Sequence, residues 1–125
     1  MALLVIEACR SGPGETVKPA YRSIEPETLH SMLAQKDFLL VNVHIPYEGR
    51  IPGTDILMPY NEIDKNLNRL PDDKGARIVV YCMTGPMSAI AAARLVELGY
   101  TQVLDLRGGM LALRRQGYPL EDWAG

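Results

Sequence analysis

Cysteine and histidine are scarce in this chain of 125 residues, with two of each: Cys9, Cys82, His30 and His44. Two cysteines are too few for a disulfide framework, and neither has a CxxC partner or metal-type spacing. Two histidines this far apart argue against a His-rich metal site, so neither a metal nor another cofactor is expected. No Lys/Arg cluster occurs and the formal net charge is −2, which argues against a nucleic-acid partner. No apolar run is long enough for a membrane span. Met1–Ala8 is apolar but short, contains Glu7 and lacks a basic start, so it makes a poor signal peptide. Ala8-Cys9 faintly resembles the end of a lipoprotein signal. A cytoplasmic location is favoured, and a periplasmic or tethered precursor stays open.

What the chain does have is an apolar fraction of 47%, enough for one core of ordinary size in one domain, read as a monomer. Its organising stretch is Arg77–Gly99. Ile78–Tyr81 is a continuous, β-branched apolar run, as in a strand covered on both faces. Gly85-Pro86 breaks it, and Ser88–Leu98 reads as an alanine-rich helix closed by Gly99. Cys82 falls where strand becomes loop. Unpaired N–H groups of a short loop leading into a helix converge on an anion, helped by the positive end of the helix dipole. Such a cradle favours a thiolate, the nucleophilic form of cysteine. The alternative is a buried cysteine acting as a small apolar residue.

Three segments carry a resemblance to the rhodanese-like sulfurtransferase domains. Cys82-Met83-Thr84-Gly85-Pro86-Met87-Ser88 is similar to that family's active-site loop, usually Cys-Arg-x-Gly-x-x-Ser. Asn42-Val43-His44 followed by Gly49-Arg50-Ile51-Pro52-Gly53-Thr54 resembles its Asp-Val-Arg and Gly-His-Ile-Pro-Gly-Ala signature. Leu106-Arg107-Gly108-Gly109-Met110 resembles its closing Leu-x-Gly-Gly-Met/Ile turn. The match runs from about Tyr21 to Gln116 in order and spacing.

In chain order, residues 1–19 read as a flexible N-terminal segment, 20–120 as a rhodanese-like domain and 121–125 as a tail. Strands are expected over Ala20–Ile24, Phe38–Val43, Asp55–Met58 and Gln102–Leu106. Helices are expected from Pro26, over Asn61–Leu67, and over Met110–Gln116 with Gly117 at its end. His30 is read as solvated, and Trp123 as packed on the body. Alternating strands and helices make an α/β fold with a mainly parallel sheet flanked by helices on both faces. Loops after the strands then share one edge, so Asn42-Val43-His44 should approach Cys82.

The resemblance implies sulfur transfer. Cys82 would take a sulfane sulfur from a donor, thiosulfate or a small-molecule or protein persulfide. It would hold it as a persulfide and pass it to a thiophilic acceptor. The N–H groups of Met83–Ser88 would stabilise the charge, with hydroxyls from Thr84 and Ser88, although Ser88 reads equally as a helix N-cap. Gly85, Pro86 and Met87 complete the binding loop, and Arg107 is a further candidate contact. Met83 and Pro86 stand where many family members carry basic residues, so the loop holds no cation and a dianionic donor lacks its usual anchor. Asn42 replaces an aspartate and Arg50 a histidine; His44, Arg50 and Arg107 are the nearby groups that would compensate. Met83 and Met87 suit a hydrophobic donor. The fold is shared with cell-cycle-type cysteine phosphatases, whose cysteine and arginine have five residues between them; here that position is Ser88, which disfavours phosphatase chemistry. A non-catalytic binding or sulfur-carrier module is the alternative, and a Cys9–Cys82 redox pair a third.

Overall fold

The computed structural model describes residues 20–123; the expectations for residues 1–19, for Cys9 and for the last two residues lie outside the described residues. Five strands form one parallel sheet: β1 (Arg22–Ile24), β2 (Leu39–Asn42), β3 (Ile56–Leu57), β4 (Arg77–Tyr81) and β5 (Gln102–Leu106), in the order β1-β5-β4-β2-β3. The α-helices are α1 (Pro26–Leu33), α2 (Pro86–Glu97) and α3 (Gly109–Arg115). A 3-10 helix spans Ile63–Arg69 and is kinked at Asn66. The two edge strands are the shortest, as suits edges that must not recruit other strands.

β4 is central because its residues feed both cores. Ile78 and Val80 face one side, with Val41, Val103 and the small face of α2 (Ala91, Ala92, Leu95). Val79 and Tyr81 face the other, with Leu29 of α1, Leu40, Leu106 and Met110 and Leu113 of α3. The period-2 alternation therefore splits one apolar run between two layers. The helices lie on both faces of the sheet, as the strand–helix alternation predicts.

Most elements sit where the sequence puts them, with shorter strands. One boundary differs with consequence: α2 begins at Pro86, with Gly85 before it, rather than at Ser88. Proline suits that first position because its missing N–H has no intrahelical acceptor to lose. Ser88 is therefore a first-turn residue, not the N-cap. α2 and α3 end in the same cap: Tyr100 N–H bonds to Leu95 C=O, and Tyr118 N–H to Leu113 C=O. His30 is exposed and stacks on Tyr118 at 4.3 Å. Trp123 packs against the layer beneath α1 and α3, and Arg50 and Glu121 exchange backbone hydrogen bonds of 2.9 and 2.7 Å.

Tyr81 links the central strand to the Ile51-Pro52-Gly53-Thr54 loop. Its buried hydroxyl accepts from Ile51 N–H at 3.0 Å and lies 2.7 Å from Thr54 Oγ1, which itself donates to Ile51 C=O. Burial pushes the phenol up to about 12, against the lowering effect of those two bonds. Tyr81→Phe leaves Ile51 N–H buried without an acceptor and is expected to cost about 1–3 kcal/mol in denaturant unfolding. The raised folded-state value also means that the unfolded chain releases this proton first. Stability from Tyr81 is thus present below about pH 10 and lost as pH rises to about 12. Tyr81→Phe should remove that part of the alkaline fall in melting temperature.

Candidate active site

β2, β4 and β5 are parallel and in register, so Asn42, Tyr81 and the end of β5 reach one edge of the sheet together. Cys82 follows Tyr81 directly and is 1% exposed, so it is enclosed beneath the loop that follows it. Above it run Met83, Thr84 and Gly85 into the first turn of α2. Gly85 holds φ at +134°, a conformation that L side chains rarely adopt; a Cβ there would meet nothing within 4 Å, so conformation alone calls for glycine. That turn aims Gly85 N–H at Cys82 Sγ, 3.0 Å away. The amides of Met87 and Ser88, in the first turn of α2, have no intrahelical acceptors and lie at the positive end of the helix. Pro86 contributes no N–H.

Side chains complete the surroundings. Ser88 is buried and its Oγ lies 3.6 Å from Cys82 Sγ. Thr84 and Pro86 are exposed, while Met83 and Met87 are half-buried. Met83 packs toward the α3 layer and Met87 toward the α2 layer, so an apolar side chain flanks the loop on each side.

The three candidates for compensating groups are each engaged with a carboxylate. Arg107 Nη1 lies 3.4 Å from Glu25 Oε2, His44 Nε2 lies 2.6 Å from Glu48 Oε1, and Arg50 Nε donates to Glu121 Oε1 at 3.0 Å. The exposed arginine pairs are worth only about 0–1 kcal/mol each, but they cancel charge locally. Asn42 is buried and uses both ends of its amide: Nδ2 donates to Gly49 C=O and Oδ1 accepts from His44 N–H. A carboxylate at this position has no hydrogen to give Gly49, which is a physical reason for asparagine here.

Two features of the site are not read from its sequence motifs. The first is that the Gly108-Gly109 turn docks on the cysteine loop. Met110 N–H donates to Cys82 C=O and Leu111 N–H to Met83 C=O, both at 3.0 Å. A Cβ on Gly109 would sit 2.4 Å from Met83 O and 2.5 Å from Cys82 O, so the close approach needs glycine, and φ there is +62°. The second is Asp105 on β5, a buried carboxylate 2.5 Å from Ser88 Oγ. Burial raises its pKa above the usual carboxylate range, partly offset by the Ser88 hydrogen bond and the charge of Arg107. A charged residue inside an apolar strand was the available signal for it. Among the described residues, no group of three or more His, Cys, Asp or Glu could hold a metal ion, and no helix is long and apolar enough to cross a membrane.

The family model described as Rhodanese-like domain matches residues 25–116. A protein named Sulfurtransferase from Allochromatium vinosum is 38% identical over 101 residues, covering 78% of this chain and 92% of its own length. The probable adenylyltransferase/sulfurtransferase MoeZ of Mycobacterium tuberculosis is 33% identical over 102 residues, 78% of this chain, which spans only 26% of that protein. Among solved structures, a rhodanese-related protein from Thermoplasma volcanium is 30% identical at a TM-score of 0.70, covering 82% of this chain and 99% of its own. The rhodanese-like domain of an Anabaena protein is 25% identical at a TM-score of 0.71, covering 82% of this chain and 80% of its own.

Gly109→Ala places a methyl group against two backbone carbonyls and forces an L residue to positive φ. Together these are expected to cost about 2 kcal/mol or more. Because the strain falls on the cysteine loop, the rate of Cys82 alkylation by iodoacetamide should change in the folded variant as well. Thermal melts and alkylation kinetics on the same preparation check both outcomes.

Proposed function

The chain belongs to the rhodanese-like domain family, and on that premise we propose that it is a sulfurtransferase carrying a sulfane sulfur on Cys82. The observation that supports this most is the Gly85 N–H held 3.0 Å from Cys82 Sγ in the loop that opens α2. A donor of this kind aimed at sulfur favours the charged forms that sulfur transfer passes through.

The chemistry balances with donor and acceptor alone. Cys82 thiolate attacks the outer sulfur of R–S–SH. A new S–S bond forms, the donor's S–S bond breaks, and its electron pair leaves on R–S⁻. Cys82 is now Cys–S–SH, oxidised by the same two electrons that reduced the donor. A thiophilic acceptor then attacks the outer sulfur and Cys82 returns as thiolate. The backbone of Met83, Thr84, Gly85, Met87 and Ser88 cradles the charge, Pro86 shapes the entry to the helix, and Arg107 stands at the same edge. With no cation in the loop, the preferred donor carries less charge than the thiosulfate dianion: a small-molecule or protein persulfide that rests on Met83 or Met87.

Intact-mass measurement after exposure to a polysulfide and, separately, to thiosulfate tests this reading. Wild type is expected to gain one sulfur that cyanide removes, and Cys82→Ser none. A gain that persists in Cys82→Ser would move the carrier to Cys9. No gain from either donor would reject transfer in favour of a protein-binding module.

A further inference from the structure

Asp105 is buried beneath the loop, yet sulfur transfer as written above makes no use of it. It lies opposite Val80 in the β4–β5 register, on the face that α2 covers. Its contact with that helix is Ser88. The Ser88 hydroxyl therefore has three polar neighbours: Asp105 Oδ1 at 2.5 Å, Gly85 C=O at 3.1 Å and Cys82 Sγ at 3.6 Å. A hydroxyl has one hydrogen to give and two lone pairs to accept with. The geometry thus poses a choice of where that hydrogen points.

Gly85 C=O is the weakest claimant, because it already accepts from Ala89 N–H at 3.0 Å. An ionised Asp105 is the strongest, since a charged acceptor makes the stronger bond. With the hydrogen turned to Asp105, Ser88 shows lone pairs to Cys82, an arrangement that suits a thiol S–H. With Asp105 neutral, its own O–H donates to Ser88, and the serine hydrogen is free to turn to a thiolate. One hydroxyl therefore couples the proton on Asp105 to the proton on Cys82.

We propose that Asp105 is a positioning residue that acts through Ser88 to set the balance between thiol and thiolate at Cys82. The proposal rests on the reading of Cys82 as the reactive thiol, not on the identity of its sulfur donor. The ionised carboxylate holds resting Cys82 as the thiol. On attack, the S–H bond breaks and its proton passes to Ser88 Oγ, while the serine hydrogen passes to Asp105 Oδ1. One negative charge moves from carboxylate to sulfur, and no electron is gained or lost overall. Burial of Asp105 raises its affinity for that proton. The other ionisable groups around the pair are few. Arg107 follows β5 and draws Asp105 toward its charged form, while Glu25, ahead of α1, pairs with Arg107. Tyr21, Tyr60 and Tyr100 pack against the same apolar cluster as Cys82.

The test is the pH dependence of Cys82 alkylation by iodoacetamide in the full chain, read by mass at Cys82. Asp105→Asn removes the charge and supplies an N–H to Ser88, so the serine hydrogen turns to sulfur. The Cys82 proton then leaves to solvent, and with the opposing charge gone the alkylation midpoint is expected to fall by about one pH unit. In a Ser88→Ala background the same change should move the midpoint by no more than about a third as much, because the link is gone. An unmoved midpoint in folded Asp105→Asn overturns the proposal. So does an undiminished shift in the Ser88→Ala background, which would mean that Asp105 acts through space alone. Asp105→Ser, smaller and also uncharged, should move the midpoint the same way and serves if the asparagine variant fails to fold. Alkylation requires no sulfur donor, so a wild-type thiol that shows this coupling but never gains sulfur rejects the transfer reading and leaves the coupling standing.

Discussion

Two backbone hydrogen bonds hold the site together: Met110 N–H to Cys82 C=O and Leu111 N–H to Met83 C=O. Each is worth only about 0.5–1.5 kcal/mol net, but they act on the two residues whose backbone must leave the strand and turn over the sulfur. They also satisfy first-turn amides of α3 that have no acceptor within their own helix. The Gly108-Gly109 turn exists at this point because only a residue without Cβ lets α3 come so close. The loop is thus clamped between two helix starts, α2 continuing it and α3 pressing on it from the other side of the sheet. Tyr81 anchors the strand beneath by tying its end to the Ile51–Thr54 loop.

A backbone fixed in this way supplies dipoles without supplying net charge. The Gly85 N–H at Cys82 Sγ and the start of α2 favour an anion at one point. Around that point the loop's own side chains add no cation: Met83 and Met87 are apolar, and Arg107, His44 and Arg50, outside the loop, each sit against a carboxylate. The buried ionisable side chain beside Ser88 is acidic, Asp105. A site of this kind stabilises a single charge centred on sulfur better than a dianion arriving from solvent. Membership of the rhodanese-like family and likeness to a protein named sulfurtransferase leave the donor open, and the donor choice proposed here follows from this distribution of charge.

The parallel α/β layering was legible because strand and helix periodicities alternate cleanly, and because β4 reads as a run buried on both faces. The clustering of loops at one sheet edge followed from that topology alone. α2 starts two residues before the Ser88 that the sequence suggests, because Pro86, which breaks the strand pattern, also opens the helix. With the helix opened at Pro86, Ser88 is freed from capping and its hydroxyl turns inward to Asp105. Asp105 stands out as a carboxylate within the strand Gln102–Leu106, but nothing local says which face its side chain takes. The docking of Gly109 on Cys82 joins residues 27 apart in sequence, a close approach that no local pattern encodes. The glycine pair was visible as a motif, but its partner was not.

The central claim is that charge, not shape, selects the donor at Cys82, and Met83→Arg tests it most directly. The measurement is the rate of Cys82 sulfur loading, by intact mass, with thiosulfate and with an alkyl persulfide, in wild type and variant. A charge-assisted hydrogen bond to the dianion is worth about 1.5–3 kcal/mol, so thiosulfate loading is expected to rise roughly tenfold or more while persulfide loading changes little. Wild-type loading by thiosulfate that already matches the persulfide, and that Met83→Arg leaves unmoved, would contradict the account.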